Sequence, residues 1–274
     1  MKPECLSEQL LFNTVRLTTA DESCGTGFFF RFVVEERQYL TIVTNKHVVN
    51  DNQEEEATFF VHLAEDDGTT KYSSKVTYKP HWYFHPRHDL CFCFAGPLSR
   101  AVKQATGKEV FCIANDMSIL ATDEKLNNLR ALEEVTMVGY PIALWDEANN
   151  LPIFRKGYTA SHPALDFNEP GVGLVDMACF PGSSGSPVFV LNEGAYQDKR
   201  GTLYAAQSRL ILLGVLYAGP MYTAKGTLEV VDVPTAMTVA PKTDVMVNLG
   251  YYIRAQELLE FQKVIESLVA RGLA

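Results

Sequence analysis

Short strand-like segments run through most of this chain and constrain its fold more than any other feature. They are rich in β-branched and aromatic residues, and turn-forming or charged residues bound them. One set comprises residues 11–18, 27–34, 39–44, 57–63, 72–78 and 90–95; the other comprises 134–140, 154–161, 171–178, 186–191, 210–218, 226–231 and 249–253. This spacing predicts an all-β protein of the barrel or sandwich type.

The rest of the sequence divides the chain into three parts. Residues 96–128 are polar and weakly periodic, which is typical of a connection. Apolar residues recur at helical spacing over 253–271, and Gly272 can cap the end of such a helix. We therefore predict one unit with an N-terminal β-barrel over 1–100, a connection over 101–130, and a C-terminal β-barrel with a terminal helix over 131–274.

Composition excludes several classes of function. The 274 residues are 47% apolar and carry a net charge of −9, which argues against nucleic-acid or anionic-membrane partners. The N-terminus lacks a signal-peptide pattern, and the apolar run 210–222 is too short to cross a bilayer. We expect a soluble cytoplasmic protein without a cofactor, in which the cysteines are free thiols. The cysteines are Cys5, Cys24, Cys91, Cys93, Cys112 and Cys179.

The run from Pro181 to Val188 places serines between glycines and ends in a proline. Glycine allows backbone conformations with positive φ and a close approach to a ligand. A serine held on such a turn can act as a nucleophile, and the surrounding N–H groups can bind an oxyanion. Taken alone, this run is more often a solvated loop, so its meaning depends on whether the chain supplies a base and an acid.

Two further residues supply that chemistry. His47 follows the apolar strand 41–44 after a short polar turn, and Asp89 opens the strand-like run 90–95. A nucleophilic serine needs a base within hydrogen-bond reach, and the base needs an acid that fixes its tautomer. His47 and Asp89 lie in the first strand set and Ser184 in the second, so a cleft between two barrels would assemble them.

These segments resemble the chymotrypsin-fold, trypsin-like serine proteases, most closely the high-temperature-requirement branch. The resemblance covers roughly residues 10–270. Thr44–Val49 resembles the histidine motif, His88–Leu90 the aspartate motif, Pro181–Pro187 the serine motif, and Asn248–Ile253 the last strand. Weaker matches are Gly25–Phe29 and Val138–Pro141. The resemblance implies two antiparallel Greek-key β-barrels with a C-terminal α-helix.

The resemblance also implies a serine endopeptidase and a role for each site residue. Ser184 would attack the scissile carbonyl, His47 would accept its proton, and Asp89 would orient His47. The N–H groups of Gly182 and Ser184 would form the oxyanion hole, with Ser183 contributing to the loop. The expected substrate-binding residues are Ala178, Cys179, Phe180, Pro181, Leu216, Tyr217, Ala218 and Gly219, with 216–219 pairing to a polypeptide substrate as an added strand.

The sequence departs from the family pattern at four points. Ser183 stands where secreted relatives have an acid that pairs with a freed N-terminal amine, so we expect a partner or substrate to order the loop. Val48 stands where secreted relatives often have a disulfide cysteine, and no peptide-binding module follows the terminal helix. Ala178 is not acidic, which argues against cleavage after Arg or Lys and favours substrates with an apolar or small residue before the scissile bond.

Other interpretations compete with a serine endopeptidase. The same fold can serve as a non-catalytic peptide-binding module, a pseudoprotease. His81, His85 and His88 with Asp89 form a His-rich stretch, but Pro86 and the neighbouring strand disfavour a metal-binding helix face, so no metal is predicted. A cysteine protease is less well supported because Cys179 lies outside the glycine turn.

Overall fold

The computed structural model of the chain describes residues 1–21, 23–225 and 242–273. Strands make up 41% of the chain and helices 19%, so the protein is mostly β, as the predicted all-β class requires. Within the described residues, no helix is long and apolar enough to span a membrane.

The first half of the chain builds one nine-stranded sheet. Its strands are β1 (Thr14–Thr19), β2 (Cys24–Val34), β3 (Arg37–Thr44), β4 (Ala57–Ala64), β5 (Thr70–Tyr78), β6 (Tyr83–Phe84), β7 (Cys91–Phe94), β8 (Val110–Phe111) and β9 (Asn115–Asp116). The main path runs β5-β4-β1-β2-β3-β7-β6, while β8 pairs with β4 and β9 pairs in parallel with β2. The path places β3 and β7, which flank the predicted base and acid, side by side.

The second half builds a closed barrel in the order β10-β11-β12-β19-β16-β13. The strands of this half are β10 (Glu134–Gly139), β11 (Ile153–Thr159), β12 (Val172–Asp176), β13 (Pro187–Asn192), β14 (Ala195–Gln197), β15 (Leu203–Ala205), β16 (Arg209–Ala218), β17 (Met221–Lys225), β18 (Lys242–Met246) and β19 (Leu249–Arg254). The pairs β14–β15 and β17–β18 form separate two-stranded sheets. The predicted strand at 226–231 lies outside the described residues.

Alternation along β2 explains how the two halves share a core. Successive side chains of a strand point to opposite faces. Phe28, Phe30 and Phe32 pack in one cluster with second-barrel residues and with the terminal helix, whereas Phe29 packs with the first sheet. A strand buried on both faces needs apolar residues at every such position, and the run Phe28-Phe29-Phe30 provides them.

Four α-helices complete the described part of the fold: α1 (Leu6–Leu11), α2 (Ala95–Thr106), α3 (Asp123–Asn127) and α4 (Leu258–Ala270). The predicted terminal helix is present as α4. Gly272, at φ +68°, closes it with bonds from Gly272 N to Val269 O (2.9 Å) and from Leu273 N to Leu268 O (2.9 Å). This pair of bonds is the Schellman motif.

The structure differs from the sequence-based division in two places. Residues 101–130 are not only a connection, because they contain most of α2 and the strands β8 and β9, which extend the first sheet. Strands of two residues carry too little alternation to be recognised in a sequence. The predicted strand 11–18 begins later, at Thr14, because α1 ends at Leu11.

Candidate active site

His47 and Asp89 meet at the ends of two paired strands. Thr44 of β3 pairs with Cys91 of β7, so the segments that follow β3 and precede β7 lie next to each other. The Nδ1 atom of His47 lies 2.5 Å from Oδ2 of Asp89, and the His47 backbone N–H donates to Oδ1 over 3.2 Å. The carboxylate therefore holds both the ring and the backbone of the histidine.

The Asp89 carboxyl is tuned towards its charged form. Burial alone would raise its pKa, but the hydrogen bond and charge of His47 and the N–H groups of His47 and Lys46 outweigh burial and lower the pKa below its usual value. Asn45 fixes the backbone of the acid, because its Nδ2 donates to the Asp89 carbonyl over 2.6 Å. An ionised Asp89 is the form that can stabilise a protonated His47.

The serine segment forms two consecutive turns. Ser183 N donates to Phe180 O and Ser186 N donates to Ser183 O, each over 3.0 Å. Gly182 (φ +85°) and Gly185 (φ +82°) occupy the third position of each turn, where a type II turn requires positive φ. The pattern Pro-Gly-Ser-Ser-Gly therefore encodes both turns, and Ser184 is the second residue of the second turn.

These turns rest against the first sheet on one side and against β16 on the other. Thr26 N donates to Ser184 O and Gly185 N donates to Leu216 O, each over 2.9 Å. A Cβ built on Gly185 would lie 1.9 Å from Thr26 O and 2.5 Å from the Thr44 hydroxyl oxygen. Ser184 is thereby placed beside the end of β3, which leads into His47. Among the described residues, no hydrogen bond joins the Ser184 hydroxyl to His47.

Two backbone N–H groups of the serine turn are free to bind an anion. Neither Gly182 N nor Ser184 N donates to any residue that the structure describes. Pro181 O accepts a 2.5 Å bond from Ile142 N, and the Thr26 hydroxyl donates to Gly182 O over 3.2 Å. In a trans peptide the C=O and N–H point in opposite directions, so the bond to Ile142 directs the Gly182 N–H away from Ile142.

Ser183 occupies a buried position behind the turn. It is 1% exposed, and its hydroxyl has no hydrogen-bond partner among the described residues. A buried unpartnered hydroxyl costs free energy. The side chain of Ser183 therefore does not tie the loop down, and the described ties are those of the backbone and of Thr26.

The predicted substrate-binding residues lie on two adjacent segments. Leu216, Tyr217 and Ala218 end β16 and Gly219 follows it, while Ala178, Cys179, Phe180 and Pro181 lead into the serine turns. A Cβ on Gly250 would lie 2.4 Å from Cys179 Sγ and 2.7 Å from a methyl group of Leu216, so only glycine fits between them.

Burial raises the pKa of two of these residues, Cys179 and Tyr217. Burial raises the pKa of the Cys179 thiol to about 11, partly offset by Arg155, so the thiol stays protonated and is a poor nucleophile. Burial, Glu169, Tyr251 and Asp89 together raise the pKa of Tyr217.

Sequence reasoning missed two residues at the site. Thr26 appeared only within a weak motif, yet its hydroxyl donates to Gly182 O and accepts from Tyr140 N over 3.1 Å. Arg155 was not singled out, although its guanidinium donates to Ala178 O and lies 4.7 Å from the centre of the Phe180 ring. No local pattern marks Arg155, because Ile153, Gly157 and Thr159, which share its strand face, are not uniformly apolar.

The histidines of the His-rich stretch contact two different carboxylates, Glu54 and Glu257. His81 lies 2.6 Å from Glu54, whereas His85 and His88 lie 3.4 and 3.3 Å from Oε2 of Glu257. The His85 Nδ1 accepts bonds from the N–H groups of Arg87 and His88, so the neutral ring carries its proton on Nε2, the atom that faces Glu257. Within the described part of the chain, no group of His, Cys, Asp and Glu is arranged to hold a metal ion.

A sheet and a closed barrel that hold the serine turn beside a histidine–aspartate pair define a chymotrypsin-fold protein. The sequence profile of the trypsin-like peptidase domain matches residues 25–195, more than half of the chain. The chain belongs to the trypsin-like peptidase family. The matched region contains His47, Asp89 and Ser184. No curated protein sequence matches the chain.

Solved structures that resemble this chain include serine proteases and an inactivated relative. The thermostable serine protease AL20 from an extremophilic microorganism is 13% identical (TM-score 0.49; 95% of this chain and 99% of that one covered). An inactivated protease paralogue of the scabies mite is 14% identical (TM-score 0.42; 94% and 96% covered). HL collagenase is 12% identical (TM-score 0.47; 94% and 95% covered). At such identities the likeness concerns the fold alone.

Proposed function

We propose that this protein is a serine endopeptidase that cleaves polypeptides through an acyl-enzyme. The observation that carries the proposal is the contact of His47 Nδ1 with Asp89 Oδ2, at 2.5 Å, beside a turn that presents Ser184. Ser184 attacks the scissile carbonyl, and His47 takes its proton through Nε2, the nitrogen that Asp89 leaves free. The N–H groups of Gly182 and Ser184 stabilise the oxyanion.

Labelling with a fluorophosphonate tests this assignment directly. Such probes react with an activated serine, so the wild-type protein should be labelled and Ser184→Ala should not. Ser183→Ala is the matched control, because it removes the adjacent buried hydroxyl and leaves Ser184 in place. Labelling that persists in Ser184→Ala, or that disappears only in Ser183→Ala, contradicts the assignment. Peptide hydrolysis by the wild-type protein then tests turnover.

A second candidate function is a non-catalytic, peptide-binding pseudoprotease. One observation favours it: no hydrogen bond joins the Ser184 hydroxyl to His47 among the described residues. A module of this kind would bind peptides along Leu216–Gly219 and leave them intact. Peptide binding without labelling in any condition would support the module over the enzyme.

We also propose that a partner or a substrate regulates the enzyme. The support is the buried Ser183 hydroxyl, which has no partner among the described residues and cannot make the ion pair that an acid there would make. Labelling rates measured with and without a bound peptide test this idea. A rate that is already maximal in the isolated protein contradicts it.

A reducing compartment suits the chain, and we propose a cytoplasmic location. The supporting observation is that all six cysteines are free thiols, of which Cys91, Cys93 and Cys179 are buried. Buried thiols of this kind act as small apolar side chains. The acidic net charge supports a polypeptide substrate over nucleic acid or an anionic membrane. Fractionation of cells that express a tagged protein tests the location.

A further inference from the structure

Arg155 is a charged residue on the inward face of a barrel strand. It pairs with Met137 across β10 and β11, and directly paired residues of antiparallel strands project to the same face. Met137 is buried in the cluster that contains Cys179. The next residue, Lys156, points outward and pairs with Glu134 over 2.8 Å. Arg155 therefore faces the segment that leads into the serine turns.

The guanidinium of Arg155 acts on three consecutive residues of that segment. It donates to the carbonyl of Ala178, its charge opposes the effect of burial on the Cys179 thiol, and it lies 4.7 Å from the centre of the Phe180 ring. Residues 178–181 are the ones expected to contact the substrate side chain before the scissile bond. The positive charge thus lies beside the segment that is expected to line the specificity pocket.

The charge of Arg155 has no acidic partner among the described residues. The two other partly buried arginines of the second barrel do: Arg209 lies 2.9 Å from Glu133, and Arg254 lies 2.7 Å from Asp166. A guanidinium carries five N–H donors in a planar fork. One of these donors is used on Ala178, so a carboxylate could still be bound by two parallel hydrogen bonds.

We propose that Arg155 selects substrates with glutamate or aspartate immediately before the scissile bond. The substrate class is then an acidic site in a polypeptide, and the carboxylate supplies the partner that the guanidinium lacks. This inference rests on the proposed peptidase function and on the expected placement of the substrate beside residues 178–181. An acidic residue at this substrate position replaces the apolar or small residue that the sequence analysis expected from the absence of an acid at Ala178.

Paired substrates isolate the charge. Two fluorogenic peptides that differ only in Glu or Gln before the scissile bond are nearly isosteric, so the ratio of their kcat/KM values reports the carboxylate alone. We expect the wild-type protein to favour Glu by about 10- to 100-fold, the range of a charge-assisted hydrogen bond. Arg155→Gln should bring the ratio close to 1, and Arg155→Lys should give an intermediate value because the fork is lost and the charge retained.

Lys156→Gln is the matched control. It removes one positive charge from the same strand, one residue away and on the outward face, and it should leave the Glu-to-Gln ratio unchanged. A wild-type ratio near 1 overturns the proposal whether or not Arg155→Gln folds. A ratio that Arg155→Gln leaves unchanged also overturns it and assigns Arg155 to holding the Ala178 loop only.

Binding to an inactive protein separates this inference from the proposed function. Product-like peptides that end in Glu or Gln can be titrated calorimetrically against Ser184→Ala, with and without Arg155→Gln. A preference for Glu that depends on Arg155, together with no labelling of the wild-type serine, would support the acidic specificity and refute the proposed peptidase activity. Serine labelling with equal binding of the two peptides would refute the acidic specificity and leave the proposed peptidase activity supported.

Discussion

Gly185→Ala is expected to dislodge the serine turn from the first sheet. Gly185 has φ +82°, and a Cβ there would lie 1.9 Å from the backbone oxygen of Thr26 and 2.5 Å from the Thr44 hydroxyl. The left-handed conformation costs alanine about 1–2 kcal/mol. Relief of the clash also requires the turn to move, which weakens the bonds Thr26 N to Ser184 O and Gly185 N to Leu216 O, each 2.9 Å long. At about 0.5–1.5 kcal/mol each, these bonds add about 1–3 kcal/mol.

Gly201→Ala separates conformational strain from the clash. Gly201 has φ +87°, and no atom lies within 4 Å of a Cβ built there. Urea unfolding should therefore show a loss of about 1–2 kcal/mol for Gly201→Ala, and a loss larger by about 1–3 kcal/mol for Gly185→Ala. Serine labelling should be slowed only in Gly185→Ala. Equal losses of stability with unchanged labelling would refute the described seating of the serine turn on Thr26.

Three further perturbations test the site and its surroundings. Asp89→Asn should lower kcat by about 10⁴-fold, because the amide no longer enforces the tautomer of His47, whereas Asp21→Asn, at an exposed carboxylate, should leave kcat unchanged. Thr26→Val removes the hydrogen bonds to Gly182 O and from Tyr140 N. We expect the free energy of unfolding to fall by about 1–3 kcal/mol and serine labelling to slow. Unchanged stability and an unchanged labelling rate would show that the oxyanion turn does not depend on this hydroxyl. Burial lowers the pKa of His62 from 6.5 to about 4. Between these two pH values His62 is protonated in the unfolded chain and neutral in the folded chain. The free energy of unfolding should therefore fall as the pH drops from 6.5 to 4. Measured by urea unfolding, the decrease between pH 7 and pH 5 should be about 2 kcal/mol smaller for His62→Gln than for the wild type. Equal decreases in the two proteins would contradict the lowered pKa of His62.

Local patterns in the sequence predicted much of the fold. Period-2 alternation and β-branched residues placed most of the long strands, because a half-buried strand imposes that alternation on any sequence that forms it. The apolar spacing over 253–271 predicted α4, and Gly272 predicted its end. Strands of two residues such as β8 and β9 were missed because their only support is pairing with distant β4 and β2.

The sequence by itself determined the chemistry available to this protein. The Pro-Gly-Ser-Ser-Gly run encodes two turns that need glycine at positive φ, and His47 and Asp89 follow and precede strands that present them at their ends. Only the tertiary structure decided what those residues meet: Thr26 beneath the serine turn, Asp89 against Nδ1 of His47, and Arg155 at the expected substrate pocket. Turn geometry depends on neighbours in the chain, whereas these contacts depend on strand pairing and barrel closure between residues far apart in sequence.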